Sequence, residues 1–336
     1  VSNSGKLEFL QSILDYHLKF NSQLIAGFII QNLCFKFTFG ICAAIYAGII
    51  PMMYFFVPET VYFAPEAKTE VVFDKSSLRV YEIILPEPKK TYRQRIQIFQ
   101  GRVSHASFWR TAFKPLPLVT FPAVIYAAFT YSFYAAGLTL IALLQDTVFS
   151  AAPYNLSSSA IGLTNLPLFG VGICGTLISG YCADFVTQFM TKRNNGVYEP
   201  EFRLVLMTVA ASLSTVAYIG FGYSIAAGAT IYIPIAFLGI QTFAVPFATA
   251  AMFTYVMDCH NQHAAQAFVT INFIKALLSL VMSDFVNGWF TSSGAKVVFT
   301  TVAIANLAVS AFSFPMYIFG KRLRSKIARS AFHQKF

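Results

Sequence analysis

Apolar residues dominate this chain in long unbroken runs rather than in the alternating or 3.6-residue patterns of a soluble domain. Seven runs stand out, near residues 36–56, 117–144, 159–182, 203–224, 229–256, 264–289 and 297–319, designated a to g. Each has few charges and the length needed to cross a hydrocarbon core of about 30 Å. At about 1.5 Å per residue each predicts a helix of roughly 30–40 Å. Gly and Pro inside the runs do not break the assignment, because neighbouring membrane helices re-satisfy the freed backbone groups. Residues 23–33 are apolar but too short to span, and read as the stub of a preceding helix. A β-barrel would instead give segments of about ten alternating residues. The expected fold is therefore all-α, a polytopic helical membrane protein.

Composition agrees with the pattern. Charged residues make up 11% and hydrophobic residues 56%, with 36 Phe and 17 Tyr. A soluble protein carries about 25% charged residues. The net charge of +10 could point to nucleic acid in a soluble chain. Here the basic residues lie between the runs, where membrane orientation accounts for them. Lys and Arg crowd the a–b connection, the c–d connection (Lys192, Arg193, with Arg203 opening d) and the tail after g. Residues 145–158 and 225–228 have none, and 290–296 has only Lys296. The positive-inside rule then places the basic segments and the C-terminus in the cytoplasm.

Five cysteines show neither disulfide-scaffold nor metal-ligand spacing, and most behave as small hydrophobes. His260 and His263 are too few ligands for a metal. No Gly-rich run ends in Lys-Ser/Thr, as a P-loop would require. The reading calls for no cofactor, metal, nucleotide or nucleic acid, and is not that of an enzyme. Residues 1–22 lack a signal-peptide pattern and read as the interior of a longer protein or an irregular gene model.

Polar groups inside apolar runs mark function by default, because each is costly there. Lys275, near the middle of f, shares a helix face with Asn272 three residues earlier. Lys275 could repel or exchange with a cation, pair with a carboxylate, hold an anionic substrate, or serve packing alone. Asp284 lies toward the outer end of f, and Asp146 closes b on the same side. Raised pKa values would let them carry protons; the alternative is wetted interface residues. Tyr126, Tyr131 and Tyr134 on b, Asn165 on c and Gln241 on e could line an amphipathic ligand's cavity, or pack structurally. Asn155 opens an Asn-Leu-Ser sequon in a short outer turn, which chance also explains.

The c–d connection carries the densest signal. It reads Gly180-Tyr181-Cys182-Ala183-Asp184, then Lys192-Arg193-Asn194-Asn195-Gly196, then Glu199-Pro200-Glu201-Phe202-Arg203. Gly180 would let a neighbouring helix approach closely. Asp184 at a helix C-terminus opposes the macrodipole and needs a cation, with Lys192, Arg193 and Arg203 nearest in sequence. Such a cluster can latch helix ends in one conformation and release them in another. The alternative is ordinary loop charge.

These segments resemble the signature loop of the major facilitator superfamily, in its C-terminal half. The extended form is similar to that of the fungal proton-antiporter branch, which includes multidrug and polyamine exporters. Phe55-Phe56-Val57-Pro58-Glu59-Thr60 resembles the end of the branch's sixth helix. Tyr255 to His260, Asn272 to Lys275 and Phe314 to Arg322 resemble its tenth, eleventh and twelfth. Helix a then corresponds to the sixth family helix and b–g to the seventh to twelfth. Asn21-Ser22-Gln23 departs from the Gly-Pro pair expected before the fifth-helix tail. The resemblance implies an atypical segment 1–22, the end of an N-terminal half at 23–57, a central cytoplasmic loop at 58–116, a six-helix half at 117–320 and a basic tail at 321–336. It further implies a proton-coupled secondary transporter of small organic molecules or cations in the bilayer, at the plasma membrane rather than the vacuole, with this chain an incomplete copy. The competing expectation is a non-transporting membrane fragment with a structural or interaction role.

Overall fold

The computed structural model describes residues 28–30, 35–56, 69–74, 79–84, 116–260 and 264–329. The readings for residues 1–22, the rest of the a–b connection, Cys34, His263 and the last residues of the tail lie outside these. The chain divides into two units, Phe35–Ser107 and the remainder, and each is described by itself.

In the first unit, α1 (Phe35–Phe56) is apolar on all sides, as a helix surrounded by lipid or protein must be. Beyond it, β1 (Thr69–Asp74) and β2 (Arg79–Ile84) pair antiparallel, from Thr69 opposite Ile84 to Asp74 opposite Arg79. Both strands are rich in β-branched and aromatic residues, which favour a pleated surface. This hairpin adds a small β element to a connection read as a linker.

In the second unit a 3₁₀ turn at Leu116–Thr120 leads into α2 (Pro122–Ser150). Pro122 stands at the first helical position, where its missing N–H costs nothing. A short α3 (Ser158–Leu163) precedes α4 (Asn165–Arg193). A 3₁₀ turn at Pro200–Val205 opens α5 (Leu206–Ala226), followed by α6 (Tyr232–Cys259). The continuous segment α7 (Ala264–Ala311) is broken only at Gly294, at φ 75° and ψ 164°, a backbone conformation open to glycine alone at no steric cost. The expected outer loop at 290–296 is thus a one-residue turn between two arms. The predicted helix g is itself interrupted at Phe312, after which α8 runs over Ser313–Ala328. Pro315 explains this: its ring would clash with the carbonyl of Ala311, four residues earlier.

Among the described residues six helical segments are long and apolar enough to cross a membrane. The last, Ala264–Ser325, holds 62 residues, about three times the span of the core, and Gly294 folds it into two crossings. The chain is a multi-pass integral membrane protein.

The second unit's core lies in two layers. At the end carrying Arg193, Arg203 and Arg324, here the basic end, Val124, Ala127 and Tyr134 of α2 meet Met207 of α5, Val245 and Met252 of α6 and Ile271 of α7. At the far end Leu140 and Leu144 of α2 meet Phe221 of α5, Leu238 of α6 and Val298 and Phe299 of α7. Small residues let the helices close, as expected where lipid offers no hydrophobic drive to association. Gly222 seats Phe299: a Cβ there would lie 2.8 Å from the Phe299 Cβ and 3.2 Å from the Ala295 carbonyl oxygen. The close approach expected at Gly180 falls instead at Gly175, whose Cβ would sit 3.1 Å from the Phe243 Cα. Five residues on, about 140° around the helix, Gly180 faces open space.

Candidate functional site

The signature segment spans a helix end, a turn and a helix start. Gly180 to Arg193 belong to α4, which runs eleven residues past the predicted end at 182. Lys192 and Arg193 in its last turn complement the negative end of the dipole. Gly196, at φ 79°, turns the chain back toward α5, and Pro200 starts the 3₁₀ turn.

From this turn three ion pairs reach two other helices. Glu201, 2% exposed at the side chain, receives Arg324 of α8 through Nη2 at 2.7 Å to Oε2 and through Nε at 3.0 Å to Oε1. Glu199 accepts from Lys321 Nζ at 2.5 Å. Arg203 Nε donates to Asp258 of α6 at 2.5 Å. Tyr198 also donates its hydroxyl to Asp258, and receives Arg203 Nε at 3.0 Å. Two-pronged guanidinium–carboxylate pairs fix geometry as well as charge. Gly320 makes the Glu201 pair possible, since a Cβ there would lie 2.8 Å from Glu201 Oε1. The end of α4, the start of α5, the end of α6 and α8 are therefore tied to one loop at the basic end.

The partner expected for Asp184 is otherwise engaged. Arg203 goes to Asp258 and Arg193 lies over the Phe189 ring at 4.5 Å. Asp184 is exposed and makes no ion pair among the described residues. Closeness in sequence does not decide the pairing, because the turn carries Arg203 over to α6 and Asp184 stays exposed on α4.

Burial and the neighbouring Asp258 carboxylate push the Tyr198 phenol up to about 12. The folded value lies above the ordinary 10, so its contribution is full below pH 10 and disappears as pH rises through 12. A difference titration of phenolate absorbance between the protein and Tyr198→Phe is expected to reveal one tyrosine ionising near pH 12. A Tyr198 that ionises near pH 10 would contradict its place in the network.

The intramembrane candidates separate into three groups. Tyr126 bonds Ser313 at 2.5 Å, Tyr134 bonds Ser310 at 3.1 Å, and Gln241 donates to Tyr218 at 3.0 Å, all buried. Asn165 is buried and accepts from Gln145. These four stitch helices together. Asp146, Asp284 and Asn272 are exposed, and so is Asn155 in its outer turn. Lys275 and Tyr131 come together, with Lys275 Nζ 5.7 Å from the ring centroid. Tyr131 in turn meets Phe253 edge-on at 4.8 Å.

Sequence reasoning gave no role to Asp258, Lys321, Arg324 or Gly320. The first three were visible only as charges at helix ends, and their partners lie 55 to 123 residues away. Among the described residues no group of three or more His, Cys, Asp or Glu could hold a metal ion.

The chain is 28% identical over 221 residues to an uncharacterized MFS-type transporter of Schizosaccharomyces pombe, covering 65% of this chain and 37% of that one. It is 24% identical over 215 residues to the efflux pump vrtL of Penicillium aethiopicum, covering 63% and 42%. With the probable drug/proton antiporter YHK8 of Saccharomyces cerevisiae it shares 26% identity over 139 residues, covering 41% and 27%. The chain spans less than half the length of the curated relatives it matches. The family model described as Major Facilitator Superfamily matches residues 22–283, taking in the loop that binds α6 and α8, and the chain belongs to that superfamily.

Proposed function

We propose that this chain is the C-terminal part, sixth to twelfth helix, of a proton-coupled secondary transporter of small organic molecules in the fungal multidrug and polyamine exporter branch. The observation that carries the reading is the set of ion pairs from one loop to two other helices at the basic end. A carrier that alternates between two open states needs helix ends that are held in one state and released in the other. The partly exposed pairs Arg203–Asp258 and Lys321–Glu199 serve this, since solvation offsets much of their strength; the buried Glu201 carboxylate is the costlier one to release. Transport needs a second half against which this one rocks. The relatives' names, an efflux pump and a drug/proton antiporter, support export driven by protons. The Lys and Arg asymmetry supports a cytoplasmic basic end and C-terminus, and we assign the plasma membrane as the site of action.

The test is proton flux in sealed vesicles carrying the full-length product of the locus, with a pH-sensitive dye inside. Rhodamine 6G, spermidine and 2-naphthoate serve as probe substrates. At least one is expected to stimulate proton flux, and Glu201→Gln combined with Asp258→Asn is expected to reduce it at least tenfold. Absence of stimulated flux with all three would sink the proposal in favour of a non-transporting membrane component.

A further inference from the structure

On one half-buried face of the second unit, α2, α6 and α7 bring a cation onto an aromatic wall. Lys275 of α7 sits over Tyr131 of α2 at 5.7 Å. Phe253 of α6 meets Tyr131 at 4.8 Å and Phe268 of α7 at 5.1 Å. Asn272 lies one turn before Lys275 with its amide exposed, its NH₂ held by the Phe268 carbonyl at 3.0 Å. Lys275 stands eleven residues into α7, about 16 Å of rise and so near the middle of a core of about 30 Å. An ammonium at that depth is costly. The Tyr131 ring at 5.7 Å is close to the limit of cation–π attraction, about 6 Å, so it compensates the charge only weakly. Among the described residues Lys275 makes no hydrogen bond or ion pair.

We infer that Lys275, Asn272, Tyr131 and Phe253 form a binding site for an organic acid with a flat aromatic body. The carboxylate takes a charge-assisted hydrogen bond from Lys275, and the ring lies against Tyr131 and Phe253, whose edges and faces favour offset contact. The same charge selects against organic cations. Two like charges about 6 Å apart in a medium of intermediate dielectric repel by about a hundredfold in binding. The inference rests on the reading of the chain as part of a small-molecule carrier and narrows the chemistry of what that carrier takes. It runs against the cationic substrates that resemblance to multidrug and polyamine exporters would imply.

The test compares 2-naphthoate with 2-naphthylmethylammonium, matched in size and opposite in charge, binding to this chain in lipid nanodiscs at pH 7. Saturation-transfer NMR and ligand fluorescence report occupancy. Naphthoate is expected to bind at least tenfold more tightly than the amine. Lys275→Met should remove that preference without lowering the thermal midpoint, and Lys275→Arg should keep it. Tyr131→Ala should weaken both ligands without changing their order. Tighter binding of the amine, an unchanged preference in Lys275→Met, or no saturable binding of either would overturn the site. Because binding is read without flux, saturable naphthoate binding in a carrier that moves nothing would count against the transport reading alone.

Discussion

Glu201→Gln is expected to lower the stability of the second unit by about 3 kcal/mol, the lower end of what removing one partner of a buried ion pair costs. The lower end applies because Arg324 is 27% exposed at the side chain and can recover water when its carboxylate is lost. For a unit of this size the thermal midpoint should fall by about 10 °C. Gly320→Val should reproduce much of the effect by a different route, since its side chain would occupy the space of the Glu201 carboxylate. The two changes act on one contact, so together they should cost little more than either alone. Glu201→Leu with Arg324→Leu should regain most of the loss, as paired apolar replacements of buried ions do. A Glu201→Gln midpoint within 2 °C of the parent, a change roughly that of a single ordinary surface contact, would show that the pair contributes nothing to folding.

Gly222→Leu is the second large effect, at about 3 kcal/mol of lost stability, the upper end of ordinary overpacking. The Cβ alone would meet the Phe299 Cβ at 2.8 Å and the Ala295 carbonyl oxygen at 3.2 Å. One obstacle is backbone, so α5 and α7 must separate at the far end rather than adjust a rotamer. Gly180→Ala is the natural control. It meets nothing within 4 Å, and the gain in helix propensity, up to about 1 kcal/mol, should leave it as stable as the parent or more so. Thermal unfolding in one detergent compares both. A Gly222→Leu protein that melts with the parent would refute the packing of α5 on α7.

The crossings were legible in the sequence because each is a run of apolar residues long enough to leave no alternative. Their ends were less so. α4 continues to Arg193 because a helix that has left the hydrocarbon keeps its hydrogen bonds, and hydropathy carries no record of them. The sequence predicts a seven-residue loop at 290–296 where the fold has a turn at Gly294, since nothing in Thr291-Ser292-Ser293 distinguishes a polar loop from a wetted helix end. The β-hairpin had a usable signal: Val71, Val72 and Phe73 against Val80 and Tyr81, across Lys75-Ser76-Ser77. The strands are only six residues each and lie among charged residues, so charge dominates the pattern of the connection. In the candidate site, Glu199, Glu201 and Arg203 stood out by density of charge. Asp258 and Arg324 did not, because a single charge at a helix end is ordinary until the fold brings its counter-charge near. Tyr126, Tyr134, Asn165 and Gln241 show the converse. A polar side chain in an apolar run reads the same whether it faces a cavity or bonds a neighbouring helix.

Gly294 also bears on how the protein enters the bilayer. With one residue between the arms of α7, no polar loop exists for the insertion machinery to handle as a separate step. The two arms must pass in as a single helical hairpin. Beyond Lys296 the partner arm of the one with Lys275 carries no charge. The apolar arm offsets the cost of inserting the charged one, which carries Lys275 at mid-depth and Asp284 nine residues further on.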